Sequence, residues 1–371
     1  MKTSIKILVL SDIHLGHAKN KTIDIITNLR RFFKTYRKYI LTTDIIVISG
    51  DIYDKLLPSN SYDFVLINKW LTEVVMFAKE YSIKVRILHG TPSHDFNQPK
   101  LAYKFIKGLD IDIDLKYYDI LDIEYIEEYN INIMYLPDEW KPTSKEIYRD
   151  VKDKLIEHNL SKVDVAIMHG AFNFQLPDFL EDTLEPEDYL NIVNGPIIIG
   201  HVHDYRVMDR IYVPGSFDAL THADSNPKGG LIINYDIEHN KITHKFLENR
   251  YKLRFRTINV LNKSIDNIKK QLYKINDNKN QYVRLLVNKD STIGVSLNDL
   301  KNEFPLLNLS IKDKDKKKSK DVIHLETNKV LNKAIKLNKE TIKNYIVDKL
   351  EEDKVDTIIK HNVIEELNDL L

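Results

Sequence analysis

Apolar residues in the first half of the chain fall into short unbroken runs, separated by longer stretches of helical period. Residues 5–10 (Ile-Lys-Ile-Leu-Val-Leu), 44–48 (Asp-Ile-Ile-Val-Ile) and 83–88 are short, β-branched and bounded by polar residues, as expected of buried strands. Residues 22–39 and 62–81 lie between them and read as helices. Two further apolar, β-branched runs follow at 163–168 and 196–199. Strands alternating with helices predict a layered α/β fold.

The middle of the chain is patterned differently. Tyr125, Tyr129, Ile131, Ile133 and Tyr135 mark an alternation across residues 110–136 that predicts successive strands. Residues 205–246 are again β-rich, with turns expected at Val213-Pro214-Gly215-Ser216 and Lys228-Gly229-Gly230. A mixed sheet, or two sheets packed together, fits better than a purely parallel one. Beyond residue 250, Tyr251, Leu253 and Phe255 alternate with Lys252, Arg254 and Arg256 in a strand-like pattern. A helix at 265–275 and a strand at 282–287 complete a small α/β appendage. The run 312–321, KDKDKKKSKD, reads as a solvated loop. At the C-terminal end, Ile342, Tyr345, Ile346 and Leu350 share one helical face. Val355, Ile358, Ile359, Val363, Leu367 and Leu370 share another, beyond Glu351-Glu352-Asp353. Such a helix pair packs on its own core or docks on a partner.

Composition narrows the chemistry. A chain of 371 residues suits one large domain with smaller appendages, and its 43% hydrophobic content supports a real core. No apolar run reaches the roughly 18 residues a membrane span needs, and no signal-peptide pattern precedes the first strand, so a cytoplasmic location without membrane contact is expected. There are no cysteines, which excludes disulfides, thiolate zinc sites and cysteine catalysis. Any metal must be held by nitrogen and oxygen donors, as suits manganese, magnesium, iron or zinc. Lys plus Arg and Asp plus Glu are both 55, for a formal net charge of zero. That balance argues against tight DNA binding by the isolated chain, but does not exclude an enzyme that meets phosphate mainly through bound ions.

Five polar clusters each follow an apolar run: Asp12 and His14 in Ser-Asp-Ile-His-Leu-Gly, Asp51 in Gly-Asp-Ile-Tyr-Asp, Ser93-His94-Asp95 after Gly90-Thr91-Pro92, His169-Gly170, and His201 with His203 in Gly-His-Val-His. The carboxyl edge of an open α/β sheet is where ligands bind. In D-x-H and H-x-H the side chains are two residues apart, so an extended segment would turn both toward one metal. The adjoining glycines would let backbone and ions approach closely. A lone His or Asp at a strand end is more often structural. Five ordered clusters in one chain instead point to a metal site.

This order of motifs resembles the calcineurin-like metallophosphoesterase superfamily. Within it, Asp12-Ile13-His14-Leu15-Gly16, Gly50-Asp51-Ile52-Tyr53-Asp54 and Val213-Pro214-Gly215-Ser216-Phe217-Asp218-Ala219-Leu220, with Lys228-Gly229 downstream, are most similar to the DNA-repair nuclease branch, the SbcD-type subunit of the SbcCD complex and its phage relatives. The resemblance implies a four-layer sandwich of two mixed β-sheets flanked by helices over residues 1–250. It also implies a small α/β capping domain over 251–325, and C-terminal helices over 326–371 that dock on an ATPase partner. It implies two divalent ions, Mn2+ foremost with Mg2+ as the alternative. Asp12, His14 and His203 would hold one ion, His169 and His201 the other, and Asp51 would bridge them. His94 would be the catalytic histidine, protonating the leaving oxygen during in-line hydrolysis. Ser93 stands where the family carries a ligating Asn, and Thr91 or Asp95 are alternatives in the same loop. DNA, an SbcC-type coiled-coil ATPase and a second copy of the chain are the implied partners.

Two other readings remain open from the sequence. One is a phosphatase or small-molecule phosphodiesterase on the same scaffold. The other is an inactive scaffold, which the Ser93 departure keeps open. His17, His89 and His222 match no family position, Tyr53 is expected to pack beside the site, and Asp54 to orient a ligand, touch DNA or make a structural hydrogen bond.

Overall fold

The computed structural model describes residues 2–18, 20–109, 111–138, 143–175, 183–224, 226–261, 263–276, 281–287 and 293–313. The expected C-terminal helices and most of the charged run at 312–321 lie outside these residues. Strands β1 (Ser4–Leu10), β2 (Ile45–Ser49), β3 (Lys84–Leu88) and β4 (Leu115–Tyr118) are parallel neighbours. A second sheet contains β5 (Asp122–Ile126), β6 (Ile131–Leu136), β7 (Val165–His169), β8 (Ile197–Gly200), β9 (Arg206–Met208) and β10 (Ile211–Val213), in the order β5-β6-β7-β8-β10-β9. Strands β11 (Gly229–Asp236) and β12 (Lys241–Glu248) then return to the first sheet, antiparallel to β1 and to each other, giving β12-β11-β1-β2-β3-β4. Both sheets are mixed. Gly229 and Gly230, expected in a turn, instead open β11.

Helices α1 (Thr22–Thr35), α2 (Arg37–Ile40), α3 (Tyr62–Glu80), α4 (Pro92–Asp95) and α5 (Gln98–Gly108) follow strands of the first sheet, and α6 (Ser144–Glu157) and α7 (Pro186–Ile192) those of the second. Strand side chains alternate between faces, so each strand feeds two cores. Leu8, Leu10, Ile46, Ile48 and Ile87 pack with α1, α3 and α5. Ile5, Ile7, Val9, Ile45 and Val47 face Ile131, Ile133, Val165, Ile167 and Ile198 across the space between the sheets. Met134, Leu136, Met168 and Ile199 pack with Val151 and Leu155 of α6 and Tyr189 of α7. The result is helix, sheet, sheet, helix: the four-layer sandwich expected from the motifs. No helix among the described residues is long and apolar enough to cross a membrane.

One charged hub ties the sheets together. Arg86 of β3 is 1% exposed and forms a bidentate pair with Glu124 of β5, with both N–O distances 2.7 Å. The hydroxyls of Tyr118 and Tyr135 donate to the same carboxylate, and their rings stack at 3.7 Å. Burial opposes ionisation of Glu124, but Arg86 and Lys116 outweigh it and hold its carboxyl at about 2. Because the folded value is depressed, this stability is fully present above the ordinary value of 4.5 and is lost as pH falls toward 2. Arg86→Ala is expected to cost about 3 kcal/mol in urea unfolding, at the low end for a broken buried pair because Lys116 still reaches Glu124. A loss under about 1 kcal/mol, the scale of a surface pair, would contradict this.

A third sheet stands apart in sequence: β13 (Arg254–Asn259), β14 (Gln281–Val287) and β15 (Leu307–Asp313) are parallel, with helices α8 (Ile265–Ile275) and α9 (Ile293–Glu303) between them. It has its own core, including Val260, Ile268, Leu272, Val283, Leu285 and Phe304. The expected strand at Tyr251 starts later, at Arg254, because Leu253 N is taken by Asp218 Oδ1 (2.6 Å) and Tyr251 N by Asn249 Oδ1 (3.0 Å). Asp218 is fully buried and also accepts from Asn28 Nδ2 of α1 at 2.7 Å. The Ser216-Phe217-Asp218 stretch therefore joins the connector at 249–253 to α1. Burial raises the Asp218 carboxyl to about 6 against four opposing hydrogen bonds.

Candidate metal centre

The five clusters converge where the two sheets meet. Asp12 and His14 follow β1, Asp51 follows β2, Thr91 and His94 follow β3, His169 ends β7, and His201 and His203 follow β8. The chain beyond β1 is not extended, contrary to the reading from spacing. Asp12 and His14 are left-handed, with φ of 48° and 50°, and Asp51 is too, at 50°. Each such residue costs on the order of 1–2 kcal/mol. The strain is held by backbone bonds that zip the two loops together past the strand ends: Asp12 N to Gly50 O, Ile13 N and His14 N to Asp51 O, and Leu15 N to Ile52 O, at 2.8–3.2 Å. Ile13, Leu15, Ile52 and Tyr53 are wholly buried beneath. His201, at φ 104°, and His203 likewise do not turn to one point; they fall in different groups.

Those groups are Asp12, His14 and His203; Asp51, His169 and His201; and His14, Asp51 and His94. Within each, one potential ligand atom per residue lies within 4.8 Å of the others. Asp51 thus stands between the histidines of both outer groups, 3.8 Å from His14 Nε2 and 3.4 Å from His169 Nε2. His14 Nε2 is 3.1 Å from His203 Nε2.

Outer contacts aim these rings inward. His169 Nδ1 donates to Ser49 O at 2.7 Å and His94 Nδ1 to Asp54 O at 2.8 Å, since a carbonyl can only accept. In the neutral ring, Nε2 of each is left as the lone-pair nitrogen. His14 Nδ1 lies 3.3 Å from Asp54 Oδ1, an ion-pair distance, while the Asp54 carbonyl accepts from His94. Asp12 accepts from Ser11 Oγ at 2.5 Å and from His201 N at 3.0 Å. Gly200 is required for this approach, because a Cβ there would sit 2.2 Å from Ser11 Oγ and 2.4 Å from Ser49 O.

The electrostatics suit a cation. Burial works against the charge on Asp51, but His169, His14 and His94 outweigh it and hold its carboxyl below the ordinary range. Burial would lower His169, yet Asp51, Asp12 and the Ser49 carbonyl raise it to about 10, so the pocket draws a positive charge to Nε2. An ion held there would take the place of that proton. Burial comes first for His201 and His203, and both are lowered. An ionised carboxylate and neutral imidazoles are the forms that donate lone pairs to an ion. The donors are all nitrogen and oxygen, as a hard or borderline divalent ion prefers, and the residues present therefore fit such an ion.

The loop after β3 departs from the expectation at Ser93. Ser93 is exposed on the short helix α4. Asp95 is wholly buried and accepts from Tyr53 N (3.0 Å) and Gly90 N (2.8 Å), so it braces the loop. Thr91 is the residue that reaches the centre, with its hydroxyl 3.2 Å from Asp51 Oδ2. His89 is bonded to the Tyr117 hydroxyl (2.8 Å), while His17 and His222 line a cleft toward the third sheet.

Lys228 joins the site although nothing in its sequence neighbourhood assigned it a role. It is wholly buried, and its ammonium donates to His203 O at 2.7 Å and pairs with Asp224 at 3.0 Å, pinning the His-Val-His loop from behind. Its signal was only the Lys-Gly pair at the start of β11. Lys228→Met keeps the length and removes the charge. It is expected to weaken Mn2+ binding about 10–100-fold by calorimetry, as loss of a partner behind a ligand does. Unchanged affinity would remove Lys228 from the site's architecture.

The profile of the calcineurin-like phosphoesterase family matches residues 5–205, more than half of the chain. No curated protein matches it. A crystal structure of TT1561 of Thermus thermophilus is 11% identical, and the alignment covers 66% of this chain and 100% of that one, with a TM-score of 0.39. A second crystal structure is 13% identical with the same coverages and a TM-score of 0.37.

Proposed function

The chain belongs to the calcineurin-like phosphoesterase family, and on that premise we propose that it is a DNA phosphodiesterase working with two divalent ions, Mn2+ foremost, as the nuclease subunit of an SbcCD-like repair or recombination complex. The observation that carries the reading is the pair of ligand groups, Asp12-His14-His203 and Asp51-His169-His201, set side by side with Asp51 between them. Divalent ions held there supply activation of water and neutralise charge developing on the phosphate.

The chain's own residues do the rest. Asp51 and Asp12 hold the site's negative charge, and the Ser49 and Asp54 carbonyls fix the tautomers of His169 and His94. With Nδ1–H anchored on the Asp54 carbonyl, the imidazolium form of His94 carries a second proton on Nε2 to give to the leaving oxygen, and returns to the neutral ring with an Nε2 lone pair. It is half-buried beside His14, at 4.9 Å between ring centroids, so it borders the groups without being enclosed by them.

Nucleic acid is favoured over a small phosphoester by two grooves beside the third sheet, which lie outside the ligand groups themselves. A cleft of about 530 Å³ runs from His17 to the third sheet and is lined by His222, Phe255, Tyr282, Arg284 and Lys301. Phe255 and Tyr282 stack at 4.8 Å. Aromatic faces interleaved with cations suit bases and phosphates together. A second groove, of about 430 Å³, gathers Arg31, Arg250, Lys252 and Arg254. Net neutrality of the whole chain is consistent with an ATPase partner contributing further DNA-binding surface. In this reading residues 251–325 form a capping domain, 326–371 dock the ATPase, and the chain acts as a homodimer.

The test is Mn2+-dependent digestion of end-labelled duplex DNA, with an aryl phosphodiester and an aryl phosphomonoester alongside. Cleavage of DNA supports the nuclease reading. Hydrolysis of the monoester alone would replace it with a phosphatase, and hydrolysis of none, with metal bound, would favour an inactive scaffold.

A further inference from the structure

The Asp51-His169-His201 group has a fourth polar atom beside it. Thr91 Oγ1 is 3.2 Å from Asp51 Oδ2, 3.3 Å from His169 Nε2 and 3.2 Å from His201 Nδ1. The His169 Nε2 to Asp51 Oδ2 distance is 3.4 Å. Donor atoms that share an ion at about 2.1 Å stand roughly 3.0 Å apart at octahedral angles and roughly 3.4 Å apart at tetrahedral ones. The threonine hydroxyl therefore keeps the spacing of a ligand from each of the other three.

The four atoms are all lone-pair donors. A hydroxyl has one proton to give, and the Asp51 carboxylate can only accept it. Neutral His169, with Nδ1 bonded to Ser49 O, turns a lone pair toward the same hydroxyl oxygen. His201 Nδ1 can donate to that oxygen in one tautomer only. A positive centre must therefore stand among these atoms, either a proton on His169 Nε2 or a cation. A proton serves one pair of atoms, whereas a cation accepts from all four at once.

The backbone holds Thr91 in this position. Its N–H donates to Asp51 Oδ1 at 2.6 Å, and its carbonyl accepts from His94 N and Asp95 N at 2.9 and 3.0 Å, so it caps α4. Pro92 opens that helix. The approach depends on Gly90, where a Cβ would sit 2.1 Å from Asp51 N.

We propose that the Thr91 hydroxyl oxygen is the fourth protein ligand of the ion at Asp51, His169 and His201, and that this ion is the less tightly held of the two. The inference rests on the two-ion reading above. Thr91 here takes the part expected of Ser93, which the short helix opened by Pro92 carries to the surface. A neutral hydroxyl is a weak donor, so this site fills after the one at Asp12, His14 and His203.

The test is Mn2+ binding to the full chain by calorimetry and equilibrium dialysis. Wild type is expected to bind two ions in separable steps. Thr91→Val removes the hydroxyl at nearly constant volume; it should retain the tighter ion and weaken the other at least tenfold. Thr91→Ser, which keeps the hydroxyl, should restore the second step, and Thr91→Ala replaces the valine variant if that one does not fold. Two ions bound with wild-type affinities in the valine or alanine variant would overturn the proposal. Wild-type protein that binds fewer than two ions would overturn the two-ion reading itself, which is a different failure.

Discussion

Asp51→Asn is expected to remove both the paired ions and the hydrolysis of phosphodiesters, down to the background of metal in solution. Asp51 Oδ2 lies near ring nitrogens of both ligand groups, 3.8 Å from His14 Nε2 on one side and 3.4 Å from His169 Nε2 on the other. The amide keeps an oxygen for the Thr91 N–H, so the loop after β3 retains its main brace. What disappears is the negative charge that outweighs burial and raises His169. Without it, a positive ion must enter a group of imidazoles with one neutral amide in place of a carboxylate. Metal content after gel filtration and the rate on an aryl phosphodiester should fall together, with the circular dichroism spectrum unchanged. Retention of two ions per chain would show that Asp51 does not bridge.

His94→Ala should separate binding from chemistry. Its ring is anchored through Nδ1 to the Asp54 carbonyl, outside the Asp12 and His169 groups, so both ions should still bind. Loss of a positioned general acid costs about 10²–10⁴-fold in turnover. The loss should depend on the leaving group. A deoxyribose alkoxide needs a proton as the P–O bond breaks, whereas an aryl oxide leaves without one. DNA cleavage should therefore fall far more than aryl phosphodiester hydrolysis. Equal losses on both substrates would assign His94 to holding the phosphate instead.

Much of the candidate site was legible in the sequence, because each cluster directly follows a buried strand. Strand ends at one sheet edge lie side by side, which places Asp12 near Asp51 on the first sheet and His169 near His201 on the second; that the two edges share one centre was implied by the family resemblance and not by the α/β order. How they meet was less legible. Spacing two residues apart suggested extended segments, but Asp12, His14 and Asp51 are left-handed, a conformation imposed by tertiary bonds between two loops. The loop after β3 shows the same limit. Ser93 is next to His94 in sequence, yet it is exposed on the short helix starting at Pro92, and Thr91 is the residue of this loop beside Asp51, His169 and His201. Lys228 was hidden because its partners, His203 O and Asp224, depend on the path of another loop.

The fold shows a similar division. Strands β1, β2, β3, β7 and β8 are near-continuous apolar runs because both faces are covered, and runs of that kind are visible in sequence. Helices α5 and α6 were not anticipated. In α5 the buried face includes Gln98 and Pro99 while Leu101 and Phe105 are exposed, and α6 buries only Val151 and Leu155 and leaves Ile156 exposed. Their apolar stripes are too narrow or too mixed to stand out. The layered α/β class followed from the alternation of strands and helices, and a mixed sheet or two packed sheets from the pattern in the middle of the chain; the four-layer sandwich of two mixed sheets was implied by the family resemblance.

The most direct measurement on the central claim is low-temperature electron paramagnetic resonance of the full chain loaded with Mn2+ and compared with Asp51→Asn. The account predicts the exchange-coupled spectrum of a manganese pair in wild type, growing with added metal in step with phosphodiester hydrolysis and absent from the variant. The spectrum of isolated Mn2+ at every loading, in an enzyme that nevertheless hydrolyses phosphodiesters, would contradict it.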